Sequence, residues 1–107
     1  MTEYSENGGV QLPYGTGVLA VTWPFGHITI KQDVVVLTIN TKIFFHKEVS
    51  IPFDKISYIE QKRYVPFFAD GIKIVMHDMT PEWAYFWSLR SSSHIIRELQ
   101  SRGAPIR

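Results

Sequence analysis

The residue types best able to do chemistry in this 107-residue chain are its four histidines and the carboxylates around them. His77 and Asp78 are adjacent, and His27, His46 and His94 complete the imidazole set. A metal ion needs several such ligands converging on one point. Neighbouring residues of a strand point to opposite faces, so His77 and Asp78 do not converge, and no two histidines lie one helical turn apart. The sequence therefore predicts no metal site and no cofactor, and the histidines read as surface residues. Acid–base chemistry would draw on Glu60, Asp70 and His77, with a nucleophile from the run Ser91-Ser92-Ser93. Each of these has a structural use instead: Asp70-Gly71 is a turn signal, and the serines stand where a helix begins and supply capping hydroxyls. No glycine-rich phosphate loop, Walker sequence or nucleophile elbow occurs. The chain reads as non-enzymatic, with no catalytic residue.

Binding is the chemistry that remains, and two segments carry it. In Trp83-Ala84-Tyr85-Phe86-Trp87-Ser88 the aromatic residues alternate with Ala84, Phe86 and Ser88. If those three face a core, Trp83, Tyr85 and Trp87 all lie on the opposite face, where a single-layer sheet should be polar. Three large aromatics there require a cover, supplied by the N-terminal segment (Val10, Leu12, Tyr14), by a second copy of the chain or by another protein. Val34, Val36 and Thr38 repeat the excess on another predicted strand. Protein binding or self-association through Trp83, Tyr85 and Trp87 is the expected function. The alternative is Lys62-Arg63-Tyr64 with Phe67 and Phe68, a basic pair beside aromatics suited to an anionic membrane surface. Each basic residue near such a surface contributes ~1 kcal/mol, so this segment predicts weak attachment.

The elements that must position these residues are strands. From Thr16 onward apolar residues alternate with polar ones, interrupted at short intervals by Pro, Gly, Asn and Asp, the signature of antiparallel pairing. Seven segments follow: Val18–Trp23, His27–Lys31, Val34–Ile39, a bulged strand over 43–51, Ile56–Tyr64, Gly71–His77 and Trp83–Leu89. Pro52-Phe53-Asp54-Lys55 reads as a single helical turn. After Ser91–Ser93 the period changes, with Ile95, Ile96 and Leu99 at helical spacing and Gly103 placed to end the helix. Residues 1–16, with Gly8-Gly9, Pro13 and Gly15, read as a flexible leader, and residues 17–107 as the domain. The expected fold is mainly β, a partly open barrel of about seven antiparallel strands capped by one C-terminal α-helix.

Composition bounds the partners. Eleven basic against ten acidic residues give a net charge of +1, which offers no field for nucleic acid, and none is expected as a partner. The absence of cysteine excludes disulfides and thiolate chemistry. The opening Met1-Thr2-Glu3-Tyr4-Ser5-Glu6 lacks the basic and then apolar character of an export signal, and a cytoplasmic location is expected.

Three stretches resemble bacterial pleckstrin-homology-like or GRAM-like domains: Phe86-Trp87-Ser88 with the serine-capped helix and Leu99-x-x-x-Gly103; Ile51-Pro52-Phe53-Asp54-Lys55-Ile56 leading into Tyr58-Ile59-Glu60; and Trp23-Pro24-Phe25-Gly26-His27-Ile28. The resemblance covers residues 17 to 104. It implies a fold used to bind proteins, peptides or lipid head groups, with no inherited active site. Members that bind phosphoinositides share a basic cluster over the first two strands, where this chain has only His27 and Lys31.

Overall fold

The computed structural model describes residues 3–41, 45–64, 69–88 and 92–107. Seven antiparallel strands form one sheet curled into a half-barrel, followed by one α-helix. They are β1 (Tyr4–Tyr14), β2 (Gly17–Ile30), β3 (Val34–Asn40), β4 (His46–Pro52), β5 (Ile56–Tyr64), β6 (Ala69–Met76) and β7 (Trp83–Ser88), and α1 spans Ser93–Ser101. Their order across the sheet is β4-β3-β2-β1-β7-β6-β5.

The strand count agrees with expectation, but two segments differ. Residues 4–14, read from the sequence as part of a flexible leader, form β1 at the centre of the sheet between β2 and β7. Glycines and a proline favour a loop locally, yet Val10 and Leu12 are buried, and Gly8-Gly9 occupy a break in the β1–β2 register. The segments 18–23 and 27–31, expected as separate strands, are one long β2 that runs through Trp23-Pro24. The proline falls at that same break, where no ladder hydrogen bond is asked of it. The expected turn at Pro52–Lys55 is a 3₁₀ helix over Phe53–Lys55. The first residues assigned to the fourth strand, 43 and 44, lie outside the described residues.

The concave side of the half-barrel holds the core. Phe86, Leu12, Ile28, Ile30, Leu37, Ile39, Ile51, Ile59, Ile72 and Ile74 are fully buried, one or two from each of the seven strands. Ile95 and Leu99 of α1 are also fully buried and fill the open side. Each such side chain removed from water stabilises the fold by ~1.5–3 kcal/mol. Gly103, at φ 89°, ends the helix: its N–H donates to Gln100 O (3.1 Å) and that of Ala104 to Leu99 O (3.0 Å), the paired bonds of a Schellman turn. Ser92, expected as a capping hydroxyl, makes no cap bond. Its Oγ accepts a hydrogen bond from Gln61 Nε2 (2.8 Å) instead and ties the helix to β5.

The two outer strands end the sheet differently. Along β5 the C-terminal residues lie as a short parallel partner: Ile59 N–H donates to Pro105 O (2.8 Å) and Arg107 N–H to Ile59 O (2.7 Å). The Arg107 guanidinium stands 4.5 Å from the Tyr58 ring centre. On β4 the flanking bonds Thr41 N–H to Phe45 O and Phe53 N–H to Asp33 O fix which residues bond inward. Lys47, Val49 and Ile51 share that parity and bond to β3, so the backbone groups of His46, Glu48 and Ser50 face the open edge.

Candidate protein-interaction face

Strand β7 divides its residues as the alternation predicts: Ala84, Phe86 and Ser88 are buried, and Trp83, Tyr85 and Trp87 are half-buried on the convex face. Its neighbours shape that face. The Trp83 and Tyr85 rings meet edge to face with centres 5.3 Å apart, and Lys73 Nζ on β6 lies 5.8 Å from the centre of Tyr85. Trp87 is opposite Gly9 of β1, and its indole occupies the space where a Cβ on Gly9 would stand. Glycine is required there because the ring takes the place of a side chain, shielding a backbone that glycine leaves bare.

One strand further on, the sheet bulges outward. Gly8 pairs with Gly26 and Val10 with Val21, so Thr22–Phe25 of β2 are set against the single residue Gly9. A Cβ on Gly26 would fall 2.7 Å from Gly8 O and 2.8 Å from Val10 Cγ2, so only glycine lets the chain re-enter the ladder. The excursion leaves Trp23 51% and Phe25 40% exposed, among the largest apolar exposures of the described residues. Beside it runs a groove of about 400 Å³ lined by Asn7, Pro24, Phe25, His27, Thr38 and Asn40. Asn7, His27 and Thr38 are register partners, and His27 Nδ1 lies 2.7 Å from Asn7 Oδ1. The groove therefore opens on the same convex face as Trp87, and it carries no carboxylate, ammonium or guanidinium group.

The convex face thus combines three half-buried aromatics, a projecting Trp-Pro-Phe segment and a neutral groove, all within the span of β7, β1 and β2. The sequence located the first but not the second, because Trp23-Pro24 reads as a strand end. The signal for it was Gly26, the point of close approach. An N-terminal leader does not cover the aromatics: β1 lies in the sheet beside them.

The other sequence-derived positions are scattered. Lys62, on β5, is exposed and stands 3.7 Å from Glu60 Oε1. Arg63 and Tyr64 end β5, and Phe67 and Phe68 lie outside the described residues. Glu60 pairs with Lys73, Asp70 with Arg63, and His77 follows the end of β6. Asp70 and His77 are thus separated by about 20 Å of extended strand and do not share a site. His77 Nδ1 lies 2.8 Å from Ser57 Oγ in an exposed pair, and Asp78 turns the chain with φ 55°. Among the described residues no three metal-ligating side chains come together. One polar cluster escaped the sequence reading: Glu6, on the half-buried side of β1, accepts hydrogen bonds from Tyr4 Oη (2.6 Å) and from Ser88 Oγ. It links β1 to the end of β7, below the aromatic stripe.

The chain matches no protein-family model and no curated protein. Among the described residues no helix is long and apolar enough to cross a membrane.

Proposed function

We propose that this protein is a non-enzymatic self-association module of pleckstrin-homology-like fold, in which the convex face of β7, β1 and β2 docks on the same face of a second copy. The observation that supports it most is the concentration of aromatic surface: Trp83, Tyr85 and Trp87 share that face with Phe25, which lines the groove, and Trp23 stands 51% exposed on the same excursion of β2. Aromatic anchors surrounded by neutral polar groups are the composition of protein interfaces. A knob, the Trp23–Phe25 projection, and the groove beside it lie together on one face, which is what a two-fold contact between identical surfaces needs. Two sheets then pack face to face about 10 Å apart, with side chains interdigitated. Contact with an anionic membrane through Lys62, Arg63, Tyr64, Phe67 and Phe68 has less support, because Lys62 already faces Glu60 and a compensated cation is weakly drawn to anionic lipid.

Light scattering coupled to size exclusion, run over a concentration series, tests the proposal. The expected mass rises from one 12.4 kDa chain towards two. The double variant Trp83→Ser with Tyr85→Ser is expected to stay monomeric with unchanged far-ultraviolet circular dichroism. A wild-type chain that remains monomeric at millimolar concentration, or a folded double variant that associates like wild type, overturns it.

A further inference from the structure

The two ends of the sheet point to a second binding site, separate from the convex face and independent of that reading. Strand β5 is bridged at Ile59 by Pro105–Arg107, whereas along β4 the N–H and C=O groups of Glu48 and Ser50 make no backbone hydrogen bond among the described residues. In front of this edge is a cleft of about 460 Å³. Lys47, Glu48, Val49 and Ser50 all line it, and four consecutive strand residues can line one cleft only along the strand's edge, since their side chains alternate between faces. Met79 and Pro81 of the β6–β7 connection and Pro13 and Tyr14 of the β1–β2 hairpin line the same cleft.

We infer that β4 takes up an extended peptide as an eighth strand, held by the backbone groups of Glu48 and Ser50 in this cleft. Donors and acceptors repeating at every second residue are matched by another extended backbone and by no small ligand. The side chains set the sequence preference. On an antiparallel guest, directly opposite residues share a face. Val49 lies on the inner side towards the cleft and selects an apolar partner. Glu48 is exposed on the convex side and selects a basic partner, while Lys47, on the inner side 5.7 Å from the Tyr14 ring centre, selects an acidic one. Read from its N-terminus, the guest carries the order apolar, basic, acidic.

The probe is a capped synthetic peptide, Ser-Thr-Val-Lys-Glu-Thr-Ser, titrated into the isotope-labelled protein and followed by amide chemical shifts. The expected result is saturable movement of the Glu48 and Ser50 amides, with binding about two- to fivefold weaker for the charge-exchanged peptide Ser-Thr-Val-Glu-Lys-Thr-Ser. Ser50→Pro removes one edge donor while keeping the inward bonds of β4, and is expected to weaken binding by about tenfold. Glu48→Lys is expected to weaken it about two- to fivefold, and Ser-Thr-Val-Glu-Glu-Thr-Ser to restore it. The convex-face variant Trp83→Ser with Tyr85→Ser should bind the probe as wild type does, which separates this site from self-association. No shift at β4 with millimolar probe, or equal binding of both charge orders and by Ser50→Pro, overturns the inference.

Discussion

Phe86 and Tyr85 are neighbours on β7, yet they live in different solvents. Phe86 is fully buried in the core cluster that also holds Ile95 and Leu99 of the helix and isoleucines of other strands, while Tyr85 lies half-buried on the convex side between Trp83 and the Lys73 ammonium group. Both rings are large and apolar. The concave face is covered by Ile95 and Leu99 of α1, whereas the aromatic rings of β7 on the convex face stay half-buried. Under the proposed self-association, the half-buried aromatic residues of the convex face are the ones whose removal should change association more than folding.

That contrast can be broken in order of effect. Phe86→Ala should cost ~3–5 kcal/mol, measured by denaturant unfolding, because it opens a cavity at the centre of the core. A loss below ~1 kcal/mol would mean that the concave face is not the core. Gly26→Ala should come next, at ~1–3 kcal/mol, since its new methyl group meets the Gly8 carbonyl and Val10 and the sheet must shift to admit it. If this variant were neutral, the close approach at the bulge would not be the constraint described. Trp83→Ser with Tyr85→Ser should lower stability by only ~1–2 kcal/mol while removing association, the reverse of the Phe86 pattern. Equal losses in both properties would erase the distinction between the faces. Trp23→Ser should change the stability of the monomer by less than ~0.5 kcal/mol, since the side chain is half exposed on the projection. A thermal shift larger than a few degrees would place Trp23 in the fold's own packing.

How much of this was legible in the sequence depends on where period-two alternation survives. It survives in β3, β6 and β7, where Val35, Leu37 and Ile39, then Ile72, Ile74 and Met76, then Ala84, Phe86 and Ser88 are buried at every second position. It fails at Gly8-Gly9 and at Thr22–Phe25, where four residues of one strand face one of the next. A bulge of that size breaks the alternation in both partners, so by spacing alone β1 reads as a leader and β2 as two strands. Gly8 and Gly9 stand within the strand because the Trp87 backbone and indole and the Phe86 ring leave no room for a side chain. Such close approaches are made by residues almost eighty positions apart, and no local pattern contains them. The open edge of β4 was illegible for the same reason: it depends on which strand ends the sheet, a property of topology rather than of the segment.

The most direct test uses the tryptophans. None of the three, Trp23, Trp83 and Trp87, belongs to the buried core; the indole N–H resonances of Trp83 and Trp87 report on the convex face and that of Trp23 on the exposed excursion of β2. Two-dimensional spectra recorded across a dilution series should show the three indole signals moving together with concentration, while the amides of Ile72, Ile74 and Phe86 stay fixed. Indole signals that hold their positions from micromolar to millimolar protein would contradict self-association through the convex face.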